Sequence, residues 1–223
     1  MTKLILASQS PRRRALIGAL GYPFEAISAD VDESQATDPS PAVNVVETAW
    51  LKAVAIAERL RARPAYENAV IVAADTTVAL EGRMLGKPSD AAEARHMLTA
   101  LRSRKHEVHT GAVLLELATG REVRGVNTAV VSMRDYTDDE IEAYIASGDP
   151  FDKAGSYAIQ HPDFQPVAHL DGCFTGVMGL SLCHLAQMMA QLGLPNRIDL
   201  TAVRSLHQAY PCALYDETSK QWV

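Results

Sequence analysis

Residues 4–21 read LILASQSPRRRALIGALG, and this stretch decides how the fold begins. Its first four residues form an apolar run that predicts a buried strand. A helix is predicted over residues 11–20, because Ser10 suits the N-cap, a proline suits the first helical position and Gly21 suits the end. The stretch therefore predicts a strand that turns directly into a helix, as in α/β folds.

The rest of the chain alternates strand and helix patterns joined by short connections. Further strands are predicted at 24–28, 69–74, 78–80, 83–85, 106–117, 122–134 and 164–171. Further helices are predicted at 41–62, at 89–101 with Ser89 as cap, after the capping box at 137–140, and at 179–192. Strands that form hairpins and also alternate with helices predict an α/β fold with a mixed sheet.

The length of 223 residues fits one large domain, or one domain with two lobes. We expect residues 1–195 to form this domain and residues 196–223 to form a C-terminal extension of unknown role. Within the extension, Leu200, Val203 and Leu206 have the spacing of a short helix. Contact with a partner, or in a homodimer, is one interpretation of this helix.

The composition argues against several classes of protein. A hydrophobic content of 48% and a charged content of 22% are typical of a soluble globular protein. A membrane span is not expected, because apolar runs of the required length are missing, and the N-terminal apolar run is too short for a secretory signal. The net charge of −6 argues against a protein that coats nucleic acid, although it is compatible with a local pocket for a small anion.

Three cysteines, Cys173, Cys183 and Cys212, give an odd count whose spacing matches no zinc pattern. We therefore expect reduced thiols in a cytoplasmic protein.

Three consecutive arginines, Arg12 to Arg14, stand at the start of the first predicted helix, where the backbone dipole is already positive. A bound polyphosphate would turn this unfavourable cluster into a favourable one, because backbone N–H groups and arginines both bind phosphate well. Ser8 and Ser10 would add hydroxyl donors. The alternative is a solvated first turn in which Ser10 acts only as a cap, and Arg14 is the arginine that we most expect to be solvated.

Two acidic positions are candidates for a metal site. Asp75 directly follows an apolar strand, so it is predicted at the edge of the sheet where α/β proteins bind ligands. Asp30, Asp32 and Glu33 form an acidic loop. If the fold brings Glu33 to Asp75, the two carboxylates would suit Mg²⁺, which prefers oxygen ligands and substrate phosphates. A turn-forming aspartate and a solvated acidic loop are the alternatives.

Three further side chains are candidates for substrate contacts. Lys52 lies beside the apolar stripe of the second helix, so it either reaches solvent or points into a cleft. Lys87 ends a predicted hairpin and either binds phosphate or is exposed. Gln160 follows an apolar pair, and its amide could contact a base edge. Near it, Asp152 and Lys153 are predicted to form a local ion pair.

Taken in order, several stretches resemble the Maf family of nucleoside triphosphate pyrophosphatases. They are LILASQSPRRRALI at 4–17, Asp32-Glu33, Lys52-Ala53, AADTTVALEGRMLGKPSDAAEA at 73–94, HEVHTGAVL at 106–114, GDPFDKAGSYAIQ at 148–160 and VMGLSL at 177–182. The resemblance covers about residues 3–193. Several motifs in the same order are far more specific than any one of them.

The resemblance implies a twisted mixed sheet flanked by helices, with two lobes around a cleft. It implies a house-cleaning enzyme that cleaves a nucleoside triphosphate between the α- and β-phosphates, with Mg²⁺ or Mn²⁺ as cofactor. Ala74-Asp75-Thr76 and Ile159-Gln160 resemble the branch that acts on dTTP and UTP. The branch that acts on 7-methyl-GTP carries Ser-Asp-Gln at the first of these places.

The resemblance also implies residue roles. Asp75 would accept the proton from the attacking water and would bind the metal together with Glu33. The expected substrate-binding residues are Ser8, Ser10, Arg12, Arg13, Lys52, Thr76, Lys87 and Gln160. Of these, Arg12, Thr76 and Gln160 would shape the choice of base.

The chain departs from the family's pattern at Trp50-Leu51, at His161 and at residues 173–176, where Cys-Phe-Thr-Gly replaces a more polar stretch. Two alternatives to a dTTP/UTP enzyme stay open. One is a nucleotide-binding regulator without turnover, linked to cell-division arrest, and the other is a Maf enzyme that prefers 7-methyl-GTP. A nucleic-acid binder that uses the arginines is disfavoured by the net charge.

Overall fold

A seven-stranded mixed sheet lies at the centre of the protein in a computed structural model that describes residues 2–195, 197–207, 210–213 and 215–216. The strands are β1 (Lys3–Leu6), β2 (Phe24–Ala26), β3 (Ala69–Leu80), β4 (Arg83–Leu85), β5 (Lys105–Glu116), β6 (Glu122–Met133) and β7 (Val167–Asp171). The α-helices are α1 (Pro11–Ile17), α2 (Pro41–Leu60), α3 (Ala91–Leu101), α4 (Asp138–Ala146), α5 (Phe174–Val177), α6 (Leu182–Gln191) and α7 (Leu200–Leu206).

The strand order is β2-β1-β3-β5-β6-β7, with β4 paired to the end of β3. β1 lies parallel to both β2 and β3, whereas the other pairs are antiparallel. This arrangement confirms the predicted α/β fold with a mixed sheet. Hairpins were also predicted, and they are formed by β3 with β4 and by β5 with β6.

Three apolar clusters divide the molecule into two lobes. In the first lobe, α1 and α6 pack on one face of the sheet, and α2 packs on the opposite face. Leu4 and Leu6 belong to one of these clusters and Ile5 to the other, so β1 is apolar at successive positions because both of its faces are covered. In the second lobe, α3 and α4 pack against the far parts of β3, β5 and β6.

The prediction that a strand ends before Asp75 is wrong, because β3 runs without a break from Ala69 to Leu80. β1 pairs with β3 only as far as Leu6, but β5 pairs with β3 along nearly its whole length. β3 can therefore continue beside β5 after its pairing with β1 has ended. Asp75 lies just past the end of β1, where the sheet narrows and a cleft opens between the lobes.

The approach of α2 to the sheet depends on Gly111, which pairs with Asp75 across β3 and β5. A Cβ at Gly111 would lie 2.5 Å from the carbonyl carbon and oxygen of Val45 on α2. Real Cβ atoms do not approach backbone so closely, so only glycine permits this contact. The contact sets α2 against the sheet at the level of Asp75.

Several element ends differ from the predictions. The first helix is shorter than predicted, because α1 ends at Ile17 and a 3₁₀ turn follows over Gly18–Leu20. Asp90, not Ser89, caps α3, since its side chain accepts the backbone N–H of Glu93. The helix predicted over 179–192 begins later, at Leu182, as α6, and the short helix α5 before it was not predicted. The capping box at the start of α4 is present as predicted.

The predicted helix in the C-terminal extension is present as α7. Its Val203 is 2% exposed and packs into the apolar cluster of the first lobe, so this face contacts the chain's own core. The predicted homodimer stays a prediction. Within the described part of the chain, no helix is both long enough and apolar enough to cross a membrane.

Candidate active site

A cavity of about 730 Å³ opens between the two lobes, around Asp75. The loop between β1 and α1, the middle of β3 and one face of α2 line it from the first lobe, and residues 152–160 line it from the second. Every residue that the sequence predicts for the site lines this cavity: Ser8, Ser10, Arg12, Arg13, Glu33, Lys52, Asp75, Thr76, Lys87 and Gln160. Arg14, the arginine expected to be solvated, is exposed.

The loop after β1 presents two hydroxyl groups to the cavity. Ser10 caps α1, because its Oγ accepts the backbone N–H of Arg13. Ser8 Oγ in turn accepts the backbone N–H of Ser10 at 3.1 Å, which leaves the Ser8 hydroxyl proton available to a ligand. Because α1 has only seven residues, we attribute most of the positive potential here to the arginine side chains.

The guanidinium of Arg13 is held across the cavity by two hydrogen bonds. Its Nε donates to the carbonyl oxygen of Gly179 at 2.8 Å, and its Nη2 donates to Thr76 Oγ1 at 3.2 Å. Burial lowers the pKa of Arg13, and the charge of Asp75 opposes that shift. A guanidinium has five N–H donors, so an orientation fixed by two of them leaves the others for an anion.

A chain of hydroxyl groups fixes the position of Arg13. Thr110 Oγ1 donates to the carbonyl oxygen of Gly176 at 2.8 Å and lies 2.9 Å from Thr76 Oγ1. Since the single proton of Thr110 is used, Thr76 donates to Thr110 and accepts from Arg13. The hydrogen bonds thus make Thr76 a positioning residue for Arg13, a role that was not predicted.

Arg12 reaches the opposite wall, where its Nη1 donates to Asp152 Oδ2 at 2.9 Å. Asp152 also pairs with Lys153, whose Nζ lies 2.6 Å from Asp152 Oδ1, so the predicted local ion pair is confirmed. Burial alone would raise the pKa of Asp152, but Lys153 and Arg12 hold it below its usual value. The Arg12–Asp152 contact escaped the sequence analysis, because 140 residues separate the partners.

Lys52 points into the cavity and joins two carboxylates. Its Nζ lies 2.7 Å from Asp75 Oδ1 and 2.8 Å from Glu33 Oε1, and the residue is 8% exposed. Burial alone would raise the pKa of Glu33, but Lys52, Lys87 and Arg13 together hold it below its usual value. The structure therefore brings together the two carboxylates that the sequence could only list as a conditional pair.

Lys87 and Gln160 line the cavity from the second lobe. The loop of Lys87 is anchored by Gly155, whose N–H donates to the carbonyl oxygen of Gly86 at 3.0 Å. Gly155 has a φ of +68°, and a Cβ there would lie 2.9 Å from a methyl group of Val78. This close packing places the Lys87 loop against β3.

The donor set of this cavity fits a divalent cation. Carboxylate oxygens of Glu33 and Asp75 lie within 2.8 Å of the same Lys52 nitrogen, so they converge on one positively charged point. Oxygen donors of this kind are the ligands that Mg²⁺ and Mn²⁺ prefer. The cavity thus joins a cationic wall, which suits phosphates, to a pair of acids that suits a metal ion.

Comparison with known proteins shows the family of the chain. Residues 3–192 match the family described as Maf-like protein. A dTTP/UTP pyrophosphatase of Thermomicrobium roseum is 42% identical over 221 residues, covering 97% of each chain. One of Moorella thermoacetica is 42% identical over 194 residues, covering 86% of this chain and 96% of the relative, and one of Dictyoglomus turgidum is 38% identical over 192 residues with the same coverage.

Among solved structures, a nucleoside-triphosphatase/dITP/XTP pyrophosphatase of Mycobacterium abscessus aligns with 59% of this chain and 74% of its own, with 20% identity and a TM-score of 0.38.

Proposed function

The chain belongs to the Maf family, and we propose that it hydrolyses dTTP and UTP to the nucleoside monophosphate and pyrophosphate. The names of relatives that are about 40% identical over most of the chain support this activity. One observation carries the proposal. The neighbours Asp75 and Thr76 on β3 hold, respectively, the ammonium of Lys52 and the guanidinium of Arg13 in a single cavity.

The cationic residues would neutralise the triphosphate. Arg12, Arg13 and Lys87 line the cavity together, and Ser8 adds a hydroxyl donor. Negative charge builds up on the leaving pyrophosphate in the transition state. Cations and donors that are fixed before the reaction begins stabilise that charge without further reorganisation.

Asp75 would orient the attacking water and accept its proton. The ion pair with Lys52 fixes the direction of the Asp75 carboxylate, and its register opposite Gly111 keeps it beside α2. Glu33 and Asp75 would also hold a divalent cation, Mg²⁺ or Mn²⁺, which when bound supplies positive charge to the phosphate oxygens.

Gln160 would recognise the base. It lines the cavity from the second lobe. Thymine and uracil carry the same Watson–Crick edge, so one amide can pair with either. The 5-methyl group adds little discrimination, because a group of that size is worth about 1–3 kcal/mol in a pocket.

A nucleotide panel tests this proposal. Purified protein is incubated with dTTP, UTP, dCTP, GTP and 7-methyl-GTP in the presence of Mg²⁺, and pyrophosphate and orthophosphate are measured separately. We expect pyrophosphate and monophosphate from dTTP and UTP at higher kcat/KM than from the others. Orthophosphate as the product, faster turnover of 7-methyl-GTP, or nucleotide binding without turnover, as for a regulator of cell division, would contradict it. The cytoplasmic location predicted from the sequence also remains a proposal.

A further inference from the structure

Three cysteines and one histidine meet in the core of the first lobe, outside the cavity. The three sulfur atoms of Cys173, Cys183 and Cys212 and one ring nitrogen of His207 all lie within 4.8 Å of one another, and all four residues are buried. The cysteines are free thiols, as predicted. Their spacing along the chain matches no zinc motif, but the fold brings them to one point.

The measured separations are those of ligands around a single ion. His207 Nε2 lies 3.5 Å from Cys173 Sγ and 3.7 Å from Cys183 Sγ. A tetrahedral zinc with Zn–S bonds of about 2.3 Å and Zn–N bonds of about 2.0–2.1 Å separates sulfur and nitrogen ligands by about 3.6 Å. These atoms are therefore already placed close to the corners of such a tetrahedron.

The tautomer of His207 also suits a metal. Its Nδ1 lies 2.7 Å from the carbonyl oxygen of Val203, which can only accept, so Nδ1 carries the proton. In the neutral ring, which is the form that binds a metal, Nε2 then carries the lone pair and lies beside two sulfurs. A ring nitrogen bonded to a backbone carbonyl, with the other nitrogen free to ligate, is the usual arrangement of a metal-binding histidine.

A hydrogen bond to Cys173 points in the same direction. Thr175 Oγ1 accepts the backbone N–H of Leu182 at 3.1 Å and lies 3.1 Å from Cys173 Sγ. A zinc-bound Cys173 is a thiolate that can only accept, so Thr175 would donate its hydroxyl proton to that sulfur. A hydrogen bond of this kind supports a metal-bound thiolate.

We propose that Cys173, Cys183, His207 and Cys212 bind one zinc ion in a structural site. Three sulfurs and one imidazole nitrogen form a four-ligand set that zinc takes in closed, tetrahedral sites. Soft sulfur ligands argue against Mg²⁺ and Mn²⁺, which bind oxygen. Four ligand atoms within 4.8 Å of one another surround one ion and are too close to enclose a multi-iron cluster.

The zinc site would connect the C-terminal extension to the first lobe. His207 and Cys212 belong to the extension, whereas Cys173 and Cys183 flank the segment that contains Gly176 and Gly179. These two glycines accept the hydrogen bonds that orient Thr110 and Arg13, respectively. Zinc would thus stabilise both the extension and the segment against which the phosphate-binding arginine rests.

The test begins with the full chain purified without a metal-affinity tag. Elemental analysis should find one zinc per chain, and thiol reagents should react with the cysteines only after a chelator has removed the metal. Removal should also lower the Tm. Cobalt added to the metal-free chain should give the absorption bands of a tetrahedral cobalt thiolate, a readout that needs no mutation.

Two matched variants complete the test. His207→Gln should reduce the zinc content to background, whereas His96→Gln, on the exposed face of α3, should keep one zinc per chain. Full-length protein with three reactive thiols and background zinc, a disulfide between two of the three cysteines in freshly purified protein, or another metal at one per chain would each overturn the proposal. Because the first measurement is made on the native chain, a variant that fails to fold does not affect it.

Discussion

The Nζ atom of Lys52 lies 2.7 Å from Asp75 Oδ1, although one residue belongs to α2 and the other to the middle of β3. The same ammonium also holds Glu33. Lys52 therefore stands at the point where the two predicted metal ligands converge. Without its charge, two carboxylates would face each other inside a partly buried cavity, and this leads to the first prediction.

Lys52→Met should lower the free energy of unfolding at neutral pH by about 1–3 kcal/mol, because it leaves Asp75 without its ion-pair partner. Both acids keep some contact with solvent, so the loss should be smaller than for a fully buried pair. Added Mg²⁺ should restore part of the stability of this variant, since a cation can replace the ammonium. Urea unfolding with and without Mg²⁺ measures both effects, with the exposed Lys105→Met as the control. Equal Mg²⁺ effects on the two variants would argue against a cation site at Glu33 and Asp75.

Arg13 and Arg14 of the first helix should differ sharply in their effect on catalysis. Arg13→Ala should lower kcat/KM for dTTP by about 10- to 150-fold, the range expected when one hydrogen bond to a charged group is lost. Arg14 is exposed and does not line the cavity, so Arg14→Ala should stay within about twofold of the native chain. Steady-state pyrophosphate release compares the two variants. Equal losses of kcat/KM would show that the arginine cluster acts only through its net charge.

Gly111→Ala should reduce stability and activity together. The new Cβ would meet the backbone of Val45 at 2.5 Å, so α2 must move away from the sheet and carry Lys52 with it. We expect a loss of about 1–3 kcal/mol, typical of overpacking. Gly18→Ala is the matched control, because nothing lies within 4 Å of its Cβ position and its φ of −58° suits alanine. Thermal unfolding compares the Tm values of both variants with that of the native chain. An unchanged Tm for Gly111→Ala would refute the close contact.

His106 should make the protein less stable as the pH falls below neutrality. Burial lowers the pKa of His106 to about 4, against about 6.5 in the unfolded chain. Between these values the unfolded chain binds the proton and the folded chain does not. Stability is therefore lost as the pH falls from 6.5 towards 4, by up to about 3 kcal/mol.

The comparison of native protein with His106→Gln isolates this contribution. Other groups titrate in the same window, but they do so in both proteins. Urea unfolding across this pH range should show a shallower decline for the variant than for the native chain. The exposed His96→Gln should follow the native curve, and a His106→Gln curve parallel to both would contradict the assignment.

Local chemistry in the sequence predicted much of the fold, and together with the family resemblance it predicted ten of the residues that line the cavity. Ser10 and Thr137 cap their helices as expected, because a cap needs only the next three residues. The length of β3 could not be predicted in the same way, since it depends on which neighbouring strand continues beside Asp75. Strand pairing depends on contacts between distant segments, and the local hydrophobic pattern does not predict those contacts.

The contacts that sequence reasoning missed join residues far apart in the chain. Arg12 and Asp152 meet across the cavity, and Cys173 and His207 meet in the core, only because the fold brings distant segments together. Asp152 lies in a stretch that resembles the Maf family, but the sequence predicted only its ion pair with the adjacent Lys153. Cysteine spacing predicts a zinc site when the ligands share a loop, as in compact zinc motifs, and does not when they come from well-separated parts of the chain.

The central claim is that Asp75 activates water at a triphosphate held by the arginines. Pyrophosphate release from saturating dTTP with Mg²⁺, measured for Asp75→Asn, tests it most directly. We predict that kcat falls by about 10²–10⁴-fold, while dTTP still raises the Tm and the exposed Asp163→Asn keeps native turnover. Near-native pyrophosphate release from a folded Asp75→Asn protein would contradict the account.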